Sequence, residues 1–218
     1  MIWRISAHVD FGYTDGYNCI LRVNVMEFQK FVEDYYKRFI SALEDFDRTS
    51  LSAVLKVFED IAISGGTLWV AGNGGSAAIS DHTVCDSTKW TYVEGQPPLR
   101  SISLASNTPM ITALANDLDY EDVFSRQLTY YLKPGDAVLL VSSSGNSTNI
   151  IKACEYANSK GVPTVAFVGF HGGKLKEIAK YSVWIPIENY GICEDTHQSL
   201  MHVITQYLRL QAEQRTQV

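Results

Sequence analysis

Two short stretches of this 218-residue chain carry side chains suited to holding an anion. In VSSSGNSTNI, Ser142, Ser143, Ser144, Ser147 and Thr148 surround Gly145 and Asn146 just after a strongly apolar run. A helix starting near Ser147 points unpaired amides out of its first turn, and neighbouring hydroxyls can satisfy several phosphate oxygens without a lysine. A helix cap needs only one such serine, and the cluster exceeds that need. In WVAGNGGSA, Gly72, Gly74 and Gly75 allow close backbone approach, while Asn73 and Ser76 can face a ligand. Taken alone, a tight structural corner is the commoner reading of such a turn. Its spacing is neither GxGxxG nor GxxxxGK[ST].

A second set of residues could bind a metal. If AAISDHTVCD is helical, His82 and Asp86 lie four apart on one side. In ICEDTHQSLMH, Glu194, Gln198 and His202 form another four-residue ladder, so Glu194 and His202 share a face across two turns. Two such pairs on separate helices could converge on a borderline metal such as zinc; a plain helix-surface pair is the alternative for His82 and Asp86. His197 falls outside the ladder and reads as a packed or exposed histidine. Asp195 reads as a charge near the helix start, and His8 and His171 have no comparable setting.

An α/β frame would position these groups. TLWVAG, LRSISLA, DAVLLVSSS, PTVAFVG and SVWIPI read as five short strands alternating with helical stretches, which implies a parallel sheet covered on both faces. Ligand chemistry then collects at the carboxyl ends of the strands. Ahead of them, residues 25–63 read as one or two amphipathic helices. Residues 1–26 read as an irregular arm, 27–213 as the domain, and 214–218 as a polar tail. The last helix is expected from near Gly191, with an acidic start and basic end that suit the helix dipole.

Composition narrows the function. A chain that is 46% hydrophobic and 19% charged can bury one sizeable core. With a net charge of -6 and 18 dispersed Lys and Arg residues, it offers no basic stripe for nucleic acid. Four scattered cysteines without a CxxC pair, no leader-like start and no run of roughly 20 apolar residues predict a reduced, cytoplasmic protein without a membrane span.

The combination of AGNGGSAAISDH, ITALANDLDYEDVFSRQL, VSSSGNS, GGKLKEIA and EDTHQSLMH resembles the SIS family of sugar isomerase domains and, within it, the phosphoheptose isomerases. The resemblance covers most of residues 27–213. It implies an SIS-type parallel-sheet sandwich with an N-terminal helical extension, assembled as a homotetramer with sites between subunits. It also implies conversion of sedoheptulose 7-phosphate to D-glycero-D-manno-heptose 7-phosphate, a step toward the heptose of surface polysaccharides. On this resemblance the phosphate loop falls on Ser142, Ser144 and Ser147, and other substrate contacts on Asn73 and Ser76. The zinc ligands fall on His82, Asp86, Glu194 and His202.

Asp86 stands where the family has a glutamate that also serves as base, and Glu194 where it has a glutamine. Two histidines and two carboxylates remain a coherent, charge-neutralising zinc set. The family's arginine after the catalytic carboxylate meets Trp90, with Lys89 beside it, and a sugar-contacting aspartate meets Asn107. Asp86 is then the expected base, His202 the acid or proton shuttle, and Glu194 a group shared between metal and substrate. An isomerase for a related long-chain ketose phosphate, a noncatalytic sugar-phosphate sensor and a structural oligomer are the competing readings.

Overall fold

The structure, a computed structural model, describes residues 27–216. The arm expected at 1–26, with His8 and Cys19, lies outside the described residues. Two helices precede the first strand: α1 (Phe28–Asp45) and α2 (Arg48–Ser64). The Asp47 side chain caps α2 by accepting a hydrogen bond from the Thr49 amide at 2.8 Å.

Five strands follow, β1 (Leu68–Gly72), β2 (Ser101–Ser103), β3 (Ala137–Ser142), β4 (Thr164–Val168) and β5 (Tyr181–Trp184). All pair in parallel, in the order β2-β1-β3-β4-β5. Between and after them run α3 (Gly75–Cys85), α4 (Thr108–Asp117), α5 (Val123–Tyr131), α6 (Thr148–Ser159), α7 (Gly173–Ile178) and α8 (Tyr190–Thr216). Each of the five expected strands forms.

The period of two along a strand divides the apolar side chains between two cores. Leu68, Val70, Leu139, Val141, Val165 and Phe167 pack with Phe58 of α2, Ile79 of α3 and Met201 of α8. Trp69, Ala71, Val138, Leu140 and Ala166 pack with Phe124 of α5, Ile150 of α6 and Leu175 of α7. The result is a helix–sheet–helix sandwich. Burial of each large side chain supplies roughly 1.5–3 kcal/mol, which is why β1, β3 and β4 are apolar on both faces.

Two details at the C-terminus differ from the sequence expectation. The last helix starts at Tyr190, so Glu194 and Asp195 sit in its second turn, and its first turn contains no acid. The dipole's influence fades beyond the first turn, so these acids are not explained by it. The helix also continues through Thr216, making most of the expected polar tail helical.

Candidate active site

Strand β1 has β2 on one side and β3 on the other, so the direction in which strands are added to the sheet reverses at β1 and β3. A crevice outside the carboxyl ends of such a strand pair is where open parallel sheets bind ligands. Gly72 at the end of β1 pairs with Val141 near the end of β3, which brings the glycine-rich and serine-rich loops to that place.

The serine loop is held by its own hydroxyls and by a neighbouring turn. Ser142 Oγ accepts from the Gly145 amide and Ser144 Oγ from the Asn146 amide, both at 3.2 Å. Gly145 has φ +65°, and a side chain there would collide with the Gly172 carbonyl oxygen, so only glycine fits. Ser147 occupies the N-cap of α6, yet its hydroxyl makes no capping bond. That leaves a partly exposed donor beside the open amides of the helix start.

In the loop after β1, Ser76 is buried, while Asn73 exchanges paired amide bonds with Asn149 of α6 at 2.9 and 3.0 Å. Tyr120 Oη donates to the same Asn73 Oδ1 at 2.9 Å. Asn107 caps α4, its Oδ1 accepting from the Met110 amide at 3.1 Å.

Helix α3 carries His82 on its exposed side and leads into a π-helical turn, Asp86–Trp90, of a kind often found at functional sites. Asp86 Oδ2 lies 3.3 Å from His82 Nε2 and 3.5 Å from His202 Nε2 of α8. The two imidazole nitrogens are 3.4 Å apart. The three side chains offer ligand atoms within 4.8 Å of one another, a nitrogen–nitrogen–oxygen set that suits zinc or a similar divalent ion.

Glu194 is not in that triad. Its carboxylate rests against Gly75 at the start of α3, where any larger residue would collide with it. Burial, and secondarily the Asp195 charge, pushes the Glu194 carboxyl up from its ordinary value. Gln198, the middle rung of the ladder, instead brings its Nε2 to 3.2 Å from His202 Nε2.

His197 is fully buried 3.6 Å from the Cys193 thiol, and burial pushes its pKa down to about 4. His171 pairs with Glu188 at 2.7 Å on the surface. Asp195 accepts from Tyr35 Oη of α1 at 3.2 Å.

Trp90 is exposed and lies under the Arg209 guanidinium, 5.1 Å from ring centre to Cζ; Arg209 also donates to the Trp90 carbonyl at 3.0 Å. A cation therefore stands beside the turn that begins at Asp86, supplied by α8. Arg209 follows His202 by seven residues, two turns on the same face. That spacing was the available signal for it. For Tyr120 and Asn149 no local signal existed, because their contacts to Asn73 join residues 47 and 76 positions apart.

A cavity of about 420 Å³ lies elsewhere, at the amino ends of β1, β2 and β3. Helices α2 and α5 end there with their carbonyl-rich termini, and Arg100 donates to the Gly65 carbonyl. The glycine-rich and serine-rich loops are at the opposite end of the sheet.

The pattern that defines the SIS domain matches residues 32–169. The chain is 36% identical over 173 residues to a Thermoplasma volcanium protein named "Probable phosphoheptose isomerase", spanning 79% of this chain and 88% of that one. The chain belongs to the phosphoheptose isomerase family of SIS-domain proteins. A phosphoheptose isomerase of Thermodesulfovibrio yellowstonii is 33% identical over 182 residues, covering 82% of this chain and 90% of its own. The solved phosphoheptose isomerase from Neisseria gonorrhoeae superposes with a TM-score of 0.77 at 24% identity, over 84% of this chain and 98% of that chain. This last likeness establishes the shared sandwich. Among the described residues no helix is long and apolar enough to cross a membrane.

Proposed function

We propose that the chain interconverts sedoheptulose 7-phosphate and D-glycero-D-manno-heptose 7-phosphate. The observation that carries this reading is the convergence of His82, Asp86 and His202 in a member of this family. Ser142, Ser144 and Ser147 hold the phosphate, with the free Ser147 hydroxyl as the main side-chain donor. Asn73, Ser76, Asn107 and Glu194 line the sugar. His82, Asp86 and His202 would hold zinc, with the Glu194 carboxylate as the fourth ligand once it leaves Gly75. The ion would polarise the sugar oxygens as a Lewis acid.

Asp86 Oδ2 faces both imidazoles, which leaves Oδ1 for proton transfer. In the ketose-to-aldose direction Asp86 removes a proton from C1 and returns it to C2. His202, whose Nε2 faces the metal set, would carry a proton between the oxygens of C1 and C2 on its other ring nitrogen, Nδ1, so the enediol forms and collapses without net charge. A homotetramer is the proposed assembly, supported by Phe28, Phe31, Tyr36 and Ile40, which α1 leaves exposed.

The deciding experiment is an isomer-resolved assay with several ketose and aldose phosphates, run on zinc-loaded and chelated protein. Zinc-dependent interconversion of the two heptose phosphates is expected. Interconversion of an eight-carbon pair instead would assign a related long-chain substrate, a reading favoured by Asn107 standing where the family has an aspartate. Saturable sugar-phosphate binding without any isomer exchange would overturn catalysis and leave a sensor.

A further inference from the structure

The loop after β1 is tied to two other elements through one amide. Asn73 Oδ1 accepts from both Tyr120 Oη and Asn149 Nδ2, while Asn73 Nδ2 donates to Asn149 Oδ1. Tyr120 opens a short 3-10 turn, Tyr120–Asp122, and that turn is itself anchored. Lys152 of α6 reaches Asp122 at 3.1 Å and Glu121 at 3.3 Å. Asn149 and Lys152 are three apart, on neighbouring turns of one helix, so α6 fixes both the amide and the turn that carries the tyrosine.

This arrangement does more than close a loop. Asn149 is buried, whereas Tyr120 is 53% exposed and spends its hydroxyl on Asn73 from the solvent side. With two donors on Oδ1 and one Nδ2 hydrogen committed, Asn73 has one amide hydrogen left to offer a ligand. Without the tyrosine hydroxyl, the Asn73–Asn149 pair can turn over as a unit, and Asn73 then offers an acceptor in place of the donor.

We infer that Tyr120 is a positioning residue for sugar recognition, pinning Asn73 so that the loop after β1 presents a single amide donor to a hydroxyl or carbonyl oxygen of the sugar. The role rests on the proposed sugar-phosphate site and names a determinant within it. The phosphate is held separately, by the serine loop. Tyr120 therefore governs affinity for the sugar portion and leaves affinity for inorganic phosphate alone.

Tyr120→Phe removes only the hydroxyl and keeps the ring. Calorimetry with sedoheptulose 7-phosphate should show a dissociation constant raised about tenfold, the size of one lost hydrogen bond. Inorganic phosphate should bind as it does to the parent, and in the assay KM should rise with kcat held within about twofold. Unchanged sugar-phosphate affinity would overturn the inference, as would equal weakening of phosphate and sugar phosphate, which marks a general loosening of the loops.

If the parent binds no sugar phosphate, the proposed function falls, and the latch is still read by NMR from the Asn73 side-chain amide. Its protons should exchange with solvent about tenfold faster in Tyr120→Phe than in the parent. Equal exchange would show that the hydroxyl does not pin the amide.

Discussion

His82 and His202, 120 residues apart in the sequence, bring their Nε2 atoms within 3.4 Å, and Asp86 Oδ2 faces both. Each side chain is partly exposed, so an ion can reach the triad from solvent. Binding that favours the folded state adds about 4 kcal/mol of stability at a free metal concentration a thousandfold above the dissociation constant. For a chain of this size that corresponds to a rise in Tm of roughly 10 °C. Zinc should produce such a rise and a chelator should reverse it, while His82→Ala and His202→Ala should each lose most of the bound metal by elemental analysis. A melting curve indifferent to zinc and chelator would refute the metal centre.

Asp86 tests the chemistry apart from the metal. In Asp86→Asn the side-chain amide keeps one oxygen toward the histidines but cannot take up the sugar proton. Turnover and exchange of the C2 proton with solvent are both expected to fall by at least about a hundredfold, the lower range of general-base effects. Metal content is measured in the same sample. Full proton exchange in a metal-loaded Asp86→Asn variant would remove Asp86 from the role of base, whatever became of the substrate assignment.

The three serines are not equivalent, and the variants should show it. Ser142 and Ser144 each accept a bond from an amide within their own loop, so their removal disturbs the loop as well as the ligand. Ser147 makes no such bond. Ser147→Ala should therefore leave the melting temperature within about 2 °C of the parent, because no intramolecular bond is lost. It should weaken sugar-phosphate binding about tenfold, as loss of one hydrogen bond to a charged group does. Undiminished affinity in Ser147→Ala would take the phosphate elsewhere.

The strands were legible because a sheet buried on both faces needs short continuous apolar runs, and those of β3 and β4 have no other use. His82 and Asp86 were legible for a similar reason: one helix turn fixes their relation. The meeting of α3 with α8 was not, since helix packing decides which faces touch. The ladder Glu194–Gln198–His202 therefore marked a face that meets α3 but not which side chains meet there: His202 and Gln198 come together, and Glu194 reaches the start of α3. Asn73 looked like a free ligand group because nothing near it in sequence shows Asn149 and Tyr120 claiming its amide.

His197 provides a test in which the sign follows from burial. Its ring is wholly enclosed near Phe167 and the Cys193 thiol, and desolvation holds its pKa down at about 4 against an ordinary 6.5. Between those two values the unfolded chain carries a proton on this imidazole and the folded chain does not. Stability from the neutral, buried ring is therefore fully present above about pH 6.5 and is lost as pH falls toward 4. One group contributes a slope of at most about 1.4 kcal/mol per pH unit across that window. Denaturant unfolding of the parent and of His197→Gln, each measured from pH 7.5 down to about 4.5, should show a shallower loss in the variant, because glutamine does not titrate. The variant starts from a lower stability at neutral pH, so the comparison is of slopes. Parallel curves for the two proteins would mean that His197 is protonated equally in the folded and unfolded chains, and its enclosure would then have no electrostatic consequence.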